Sequence, residues 1–150
     1  MKKTNKGFSL VELIIVIAIM AILAGALAPA LIKYINKSRL STDIQTAQTI
    51  ATALQTALSN EKAYDAAPTV TTKELSQIGG SSAFTAEFQS ALGSLPANIT
   101  GKAKKDVNSS TLDQKLYVSL NPAKNTIQVY VGGTTANHLA YPTVGSNLTE

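Results

Sequence analysis

The chain has no cysteine, no tryptophan and one histidine among its 150 residues. Without cysteine there are no disulfides, thiolate metal sites or cysteine nucleophiles. An exported domain of this kind must hold together by packing and hydrogen bonding alone. Any Ser–His–acid relay would have to use His138, which sits in a Thr/Asn-rich stretch where an ordinary surface or edge-strand histidine is the simpler reading. The nine acidic residues are scattered, without the spacing of a metal-binding loop. Aromatic residues make up only 5%, and beyond the first third the chain is dominated by Ala, Thr, Ser, Asn and Gly. The core such a remainder can build is small. The length suits one domain and not comfortably two. Nothing here supplies a catalytic set, a metal or a cofactor, so the expectation is a protein that is not an enzyme.

Positive charge is also scarcer than the formal +4 suggests. Lys2, Lys3 and Lys6 all precede Gly7, and without residues 1–7 the chain has 10 basic and 9 acidic side chains, a net of +1. The basicity is therefore a weak argument for nucleic-acid binding.

What the chain does have is one long apolar run. Residues 13–32 read LIIVIAIMAILAGALAPALI, with no charged or polar side chain. As a helix this run spans about 30 Å, the thickness of a bilayer's hydrocarbon core. Lysines precede it, and Lys33, Lys37 and Arg39 follow it, so the cation bias is ambiguous, although the very short N-terminus favours the cytoplasmic side. An ordinary signal peptide has a shorter apolar core of 7–15 residues. Candidate small-residue cleavage sites occur at Ala24-Gly25-Ala26 and Ala26-Leu27-Ala28, but Pro29 follows the second and opposes cleavage there. A plain transmembrane anchor accounts for the length but not for Glu12, between Val11 and Leu13. A carboxylate at such depth costs about 2.5–3.5 kcal/mol on insertion scales and needs a partner.

The segment Lys6-Gly7-Phe8-Ser9-Leu10-Val11-Glu12, followed at once by the apolar run, resembles the class III leader of the type IV pilin family. Gly7, Phe8, Glu12 and the intrahelical Pro29 fall where the family has its cleavage glycine, first mature residue, fifth-position acid and helix proline. The resemblance covers residues 1–60; beyond that the pattern is only compatible. It implies that a prepilin peptidase cuts between Gly7 and Phe8 on the cytoplasmic face and methylates the new amine of Phe8. It further implies that an assembly platform in the cytoplasmic membrane moves the helix into an extracellular homo-oligomeric helical filament, which minor pilins accompany. In that filament the Phe8 ammonium of one copy would meet Glu12 of another. Desolvation consumes much of the attraction, so the pair acts as a register device rather than as glue. Gly25 and Pro29 interrupt the run; proline removes the hydrogen bond to the Gly25 carbonyl and predicts either a kink or a locally melted stretch near residues 21–29.

Leu40, Ile44, Ala47, Ala51, Leu54 and Leu58 continue as one apolar stripe, with Asp43, Gln45, Gln48 and Gln55 assigned to the polar side. One helix over about residues 9–61 follows, with packing onto a sheet favoured over a coiled-coil dimer. Pro68 and the Thr run at 69–72 suggest a loop, residues 73–78 a short helix, and Ser82 the cap of another helix closed by Leu95-Pro96. Lys102, Lys104 and Lys105 read as a solvated loop, and are the best candidates if the subunit touches DNA or an anionic surface. Leu116, Val118, Leu120 and Ile127, Val129, Val131 alternate with polar or aromatic neighbours around the turn at residues 121–125, an antiparallel hairpin; residues 138–141 are a candidate third strand.

The expected fold is α+β: a long N-terminal helix against a small antiparallel β-meander. The parts are a leader (1–7), an apolar helix (8–32), its amphipathic continuation (33–61), a connecting region (62–113), and strands with a C-terminal tail (114–150). The precursor is expected in the cytoplasmic membrane and the mature chain outside the cell. The expected function is a pilus subunit, with a pseudopilin of secretion or DNA uptake as the alternative. The region 132–150 has only Glu150 as an acid, which argues against a pseudopilin's acidic calcium loop. With no disulfide, the tail near 134–150 needs hydrogen bonds or subunit contacts to be ordered.

Overall fold

The computed structural model describes residues 7–149, so the leader lysines and Glu150 lie outside the described residues. Helix α1 spans Leu10–Leu58. The chain divides into two compact units, Met1–Ile35 and Asn36–Glu150, and α1 contributes to both.

In the first unit the helix is apolar around its whole circumference and none of its described residues is buried. Gly25 and Pro29 lie inside α1, and the segment is helical across both. The locally melted alternative is thus not what this chain adopts. Proline removes a single i→i−4 bond, and the good helix formers around it keep the remainder in place.

In the second unit the helix has one buried face: Leu40, Asp43, Ala47, Ile50, Ala51, Ala53, Leu54 and Ala57. Alanine dominates this face, and its small side chain lets a sheet approach closely. Thr42, Thr46, Thr49, Thr52, Thr56 and Ser59 instead each donate their hydroxyl to the carbonyl four residues earlier, at 2.9–3.1 Å. These bonds satisfy the polar side chains locally, on a helix that threonine otherwise disfavours. A short helix, α2 (Glu61–Asp65), follows, capped by Asn60.

The sheet has four antiparallel strands in the order β1-β2-β3-β4: Val70–Glu74, Leu116–Asn121, Thr126–Val131 and Leu139–Tyr141. The β2–β3 hairpin pairs Leu116 with Val131 through to Asn121 with Thr126. Leu116, Val118, Leu120, Ile127, Val129 and Val131 are buried in one cluster with the α1 face, as their alternation predicts. The expected helix-plus-meander fold is therefore present.

Three local expectations change. The Thr run is not a loop: β1 pairs Val70 with Leu120 and, after a bulge, Lys73 with Val118. β-Branched residues favour the edge-strand conformation once β2 offers a partner. Only a single 3₁₀ turn, Leu75–Gln77, occupies the region expected to be a short helix. Helix α3 (Ala83–Leu92) is capped by Ser82 as expected, but it ends at Gly93 (φ 71°), before Leu95-Pro96. A left-handed residue ends a helix most easily when it is glycine. Phe84 and Phe88 of α3 are fully buried and stack with centroids 6.1 Å apart.

The tail is held by hydrogen bonds. Gly145 N–H donates to Leu139 O (2.7 Å), Asn147 N–H to Asn137 O (3.1 Å), and Val107 N–H to Asn147 O (3.0 Å). Leu148 is buried in the core.

Candidate assembly interface

Gly7, Phe8, Glu12, Ile15 and Val16 line one shallow cleft at the start of α1. The structure thus brings together the three residues on which the processing and assembly expectation rests. Gly25 and Pro29 lie farther along the helix. Ser9 N–H donates to Glu12 Oε2 at 2.9 Å, and Leu13 N–H to Ser9 O at 3.2 Å. This is the carboxylate half of a capping box, in which the third helical residue reaches back to the cap amide. The S-x-x-E spacing of Ser9 and Glu12 carries this signal in the sequence, but an acid beside a long apolar run points first to an intermolecular partner. Its placement in the first turn also sets its charge against the positive end of the helix dipole. A carboxylate can accept several hydrogen bonds, so this cap does not exhaust it.

Beyond this cap the surface is oil. Phe8 is 84% exposed, Leu10 72% and Ile22 72%, and large apolar side chains remain exposed through Ile35. By length and composition the helix is long enough to cross a membrane.

The second unit shows how its own start is fastened. Asp43, assigned to the polar face of α1, is buried to 1% exposure. Both of its oxygens accept from Lys102 N–H (2.8 Å each), and Oδ2 also accepts from Ala103 N–H (2.7 Å). Burial pushes its carboxyl above the usual range, and the two amides pull it back only in part. Asn36 continues the clasp. Its Oδ1 accepts from Lys104 and Lys105 N–H (3.2 and 3.3 Å), and its Nδ2 donates to Lys105 O (2.8 Å). The lysine loop is therefore pinned to the helix by its backbone while the three lysine side chains stay exposed.

His138 is tied into the fold. Its Nδ1 lies 2.8 Å from Thr135 Oγ1, and its Nε2 lies 3.9 Å from the buried Oδ2 of Asp106. Asp106 Oδ1 accepts from Ser110 N–H. Among the described residues no three His, Asp or Glu side chains form a metal-binding group.

The geometry defines a class: a small α+β headpiece, and a long helix whose first half buries none of its described residues. Comparison with known proteins places it more narrowly. The prokaryotic N-terminal methylation motif matches residues 2–28. The type IV major alpha-pilin of Moraxella bovis is 31% identical over 125 residues, covering 74% of this chain and 79% of that protein. The type IV major fimbrial protein FimA of Dichelobacter nodosus is 40% identical over 65 residues, covering 43% and 41%. No solved structure matches. The first of these alignments is far longer than the N-terminal motif, and the chain belongs to the type IV pilin family.

Proposed function

We propose that this chain is a structural subunit of an extracellular type IV pilus. It is made as a single-pass precursor in the cytoplasmic membrane, cut between Gly7 and Phe8 and methylated on Phe8 by a prepilin peptidase. It is then polymerised by the membrane assembly platform through its apolar helix. One observation carries this reading. An apolar surface from Phe8 to Ile35, interrupted only by Ser9, Glu12 and Lys33, stands exposed, far beyond what a soluble monomer leaves uncovered. Lipid covers it in the precursor and neighbouring copies cover it in the filament.

Glu12 fits as the register element. In an apolar surround its charge is tolerated only with enough donors, and the Ser9 amide supplies one. The Phe8 ammonium of a neighbouring copy, created only by cleavage, supplies the charge-neutralising one. A wrong stagger leaves the carboxylate without its counter-ion, at a cost of several kcal/mol. Both relatives are named as major pilus proteins, which favours a pilin over a pseudopilin.

Mass spectrometry of the native N-terminus tests the proposal. The expected mature chain begins at N-methylated Phe8; a chain that keeps residues 1–7, or is trimmed beyond Ala28, overturns it.

A further inference from the structure

The lysine loop is the sequence feature that filament assembly leaves unexplained. In the second unit, Lys37, Arg39, Lys102, Lys104 and Lys105 gather where the chain enters from the apolar run, because Asn36 and Asp43 fasten residues 102–105 to the first turns of that unit's helix. Among the described residues, the acids on these same segments, Asp43 and Asp106, are buried, while Lys102, Lys104 and Lys105 are exposed. Over the rest of the headpiece's described residues, acids outnumber bases five to four. Positive charge is therefore concentrated at one end.

That end has a position fixed by chain connectivity alone. The uncharged run closes at Ile32, four residues before Asn36, or about 6 Å of helix. With the run in a bilayer, Asn36 and the Lys104 and Lys105 backbone bonded to it come within one Debye length, about 8 Å at physiological salt, of the run's end, while Arg39 and the Asp43 that holds Lys102 follow about 10 and 16 Å along the helix. Cations on the outer side of a spanning helix run against the usual cytoplasmic bias, so they need a reason other than topology.

We infer that the pinned loop of Lys102, Lys104 and Lys105, with Arg39 beside it on the helix, is a collar that binds anionic phospholipid headgroups on the outer leaflet and holds the precursor's headpiece down on the membrane before assembly. This rests on the membrane-embedded precursor proposed above. The clasp matters because backbone amides do the fastening: no lysine ammonium hydrogen-bonds in it, although the charge of Lys102 also acts on Asp43. Each juxtamembrane cation near an anionic surface contributes about 1 kcal/mol, or roughly fivefold in association.

The absence of native cysteine makes the test direct. The full-length precursor carrying Ser110→Cys, labelled with an environment-sensitive dye, is placed one chain per nanodisc. Discs are either phosphatidylcholine alone or contain phosphatidylglycerol. Co-elution of chain and disc at about 1 M salt, where the Debye length is ~3 Å, reports insertion independently of the collar. Phosphatidylglycerol is expected to slow quenching by acrylamide about fivefold or more. Salt, and separately Lys102→Ser with Lys104→Ser and Lys105→Ser, should each restore the phosphatidylcholine rate. Equal quenching in both discs with insertion intact overturns the collar and leaves the pilin reading standing. Protection that appears only with several chains per disc, whatever the lipid, overturns it in favour of an acidic face on a second copy. Loss of co-elution sinks the membrane-embedded reading and the collar together.

Discussion

The two halves of α1 have the same backbone and opposite chemistry. Before Ile35, Leu, Ile and Val occupy every side of the helix and none is buried. After Asn36, alanines and a few larger residues form one buried face, and threonines bonded to their own backbone, together with glutamines, form the other. A helix that is apolar all round cannot satisfy itself within one small chain. A helix with a single apolar stripe can, if a sheet covers that stripe. On the proposed reading, the break in composition marks where the partners change, from lipid or other copies to the chain's own sheet.

Glu12→Ala is the severest test of this division. Filaments are expected to disappear from the cell surface while the Gly7–Phe8 cut persists, as electron microscopy and mass spectrometry would show. The thermal unfolding of the headpiece, measured on the full chain in detergent, should not move, because among the described residues the Glu12 carboxylate bonds within its own first turn. Normal filaments would refute the register role. A shifted melting temperature would refute the independence of the two halves.

Asp43 tests the other half. Asp43→Ala deprives two amides of their acceptor at a buried site and should destabilise the headpiece by about 3 kcal/mol, read from thermal or denaturant unfolding. It should leave N-terminal processing untouched. The pH dependence has a defined sign. The folded-state carboxyl titrates above its ordinary value of 3.8, so the protonated form is favoured by folding. Its contribution is fully present below that value and is lost as pH rises through the higher, folded one. The stability of the native chain relative to Asp43→Asn should therefore fall as pH rises across that window. A difference that rises instead would mean that the amides outweigh burial.

How much of this was legible in the residues depended on how local the cause was. The apolar run, the Gly7-Phe8-Glu12 spacing, the Ser82 cap and the β2–β3 alternation are all local patterns, and each had a physical template to match. Asp43 was misplaced because periodicity sorts a carboxylate with polar residues. Its partners are amides 59 and 60 positions away, in a loop whose lysine side chains advertise solvent rather than docking. Asn36 escaped notice for the same reason. β1 was hidden because Thr and Val after a proline are as much a loop as a strand until β2 lies alongside. The tail's order rests on amide–carbonyl bonds between residues 107, 137, 139, 145 and 147, which carry no side-chain signature.

The smallest effect is expected on the face of the sheet turned away from the core. Tyr117 donates its hydroxyl to Asp113 Oδ2, and this bond to a carboxylate, with partial burial, pushes the phenol up from 10.0 to about 12. The neighbouring Lys115 holds Glu74 at 2.8 Å, pulling that exposed carboxyl down and its own ammonium up. Such an exposed pair contributes little to stability. Ultraviolet titration should show the Tyr117 phenol ionising near 12, and Asp113→Asn should return it toward 10.0. Neither filament yield nor melting temperature should change measurably. If Asp113→Asn lowered the melting temperature as much as Asp43→Ala does, buried clasps and surface hydrogen bonds would be equivalent in this headpiece, and the contrast between a helix that fastens its own loop and one that waits for a partner would lose its energetic basis.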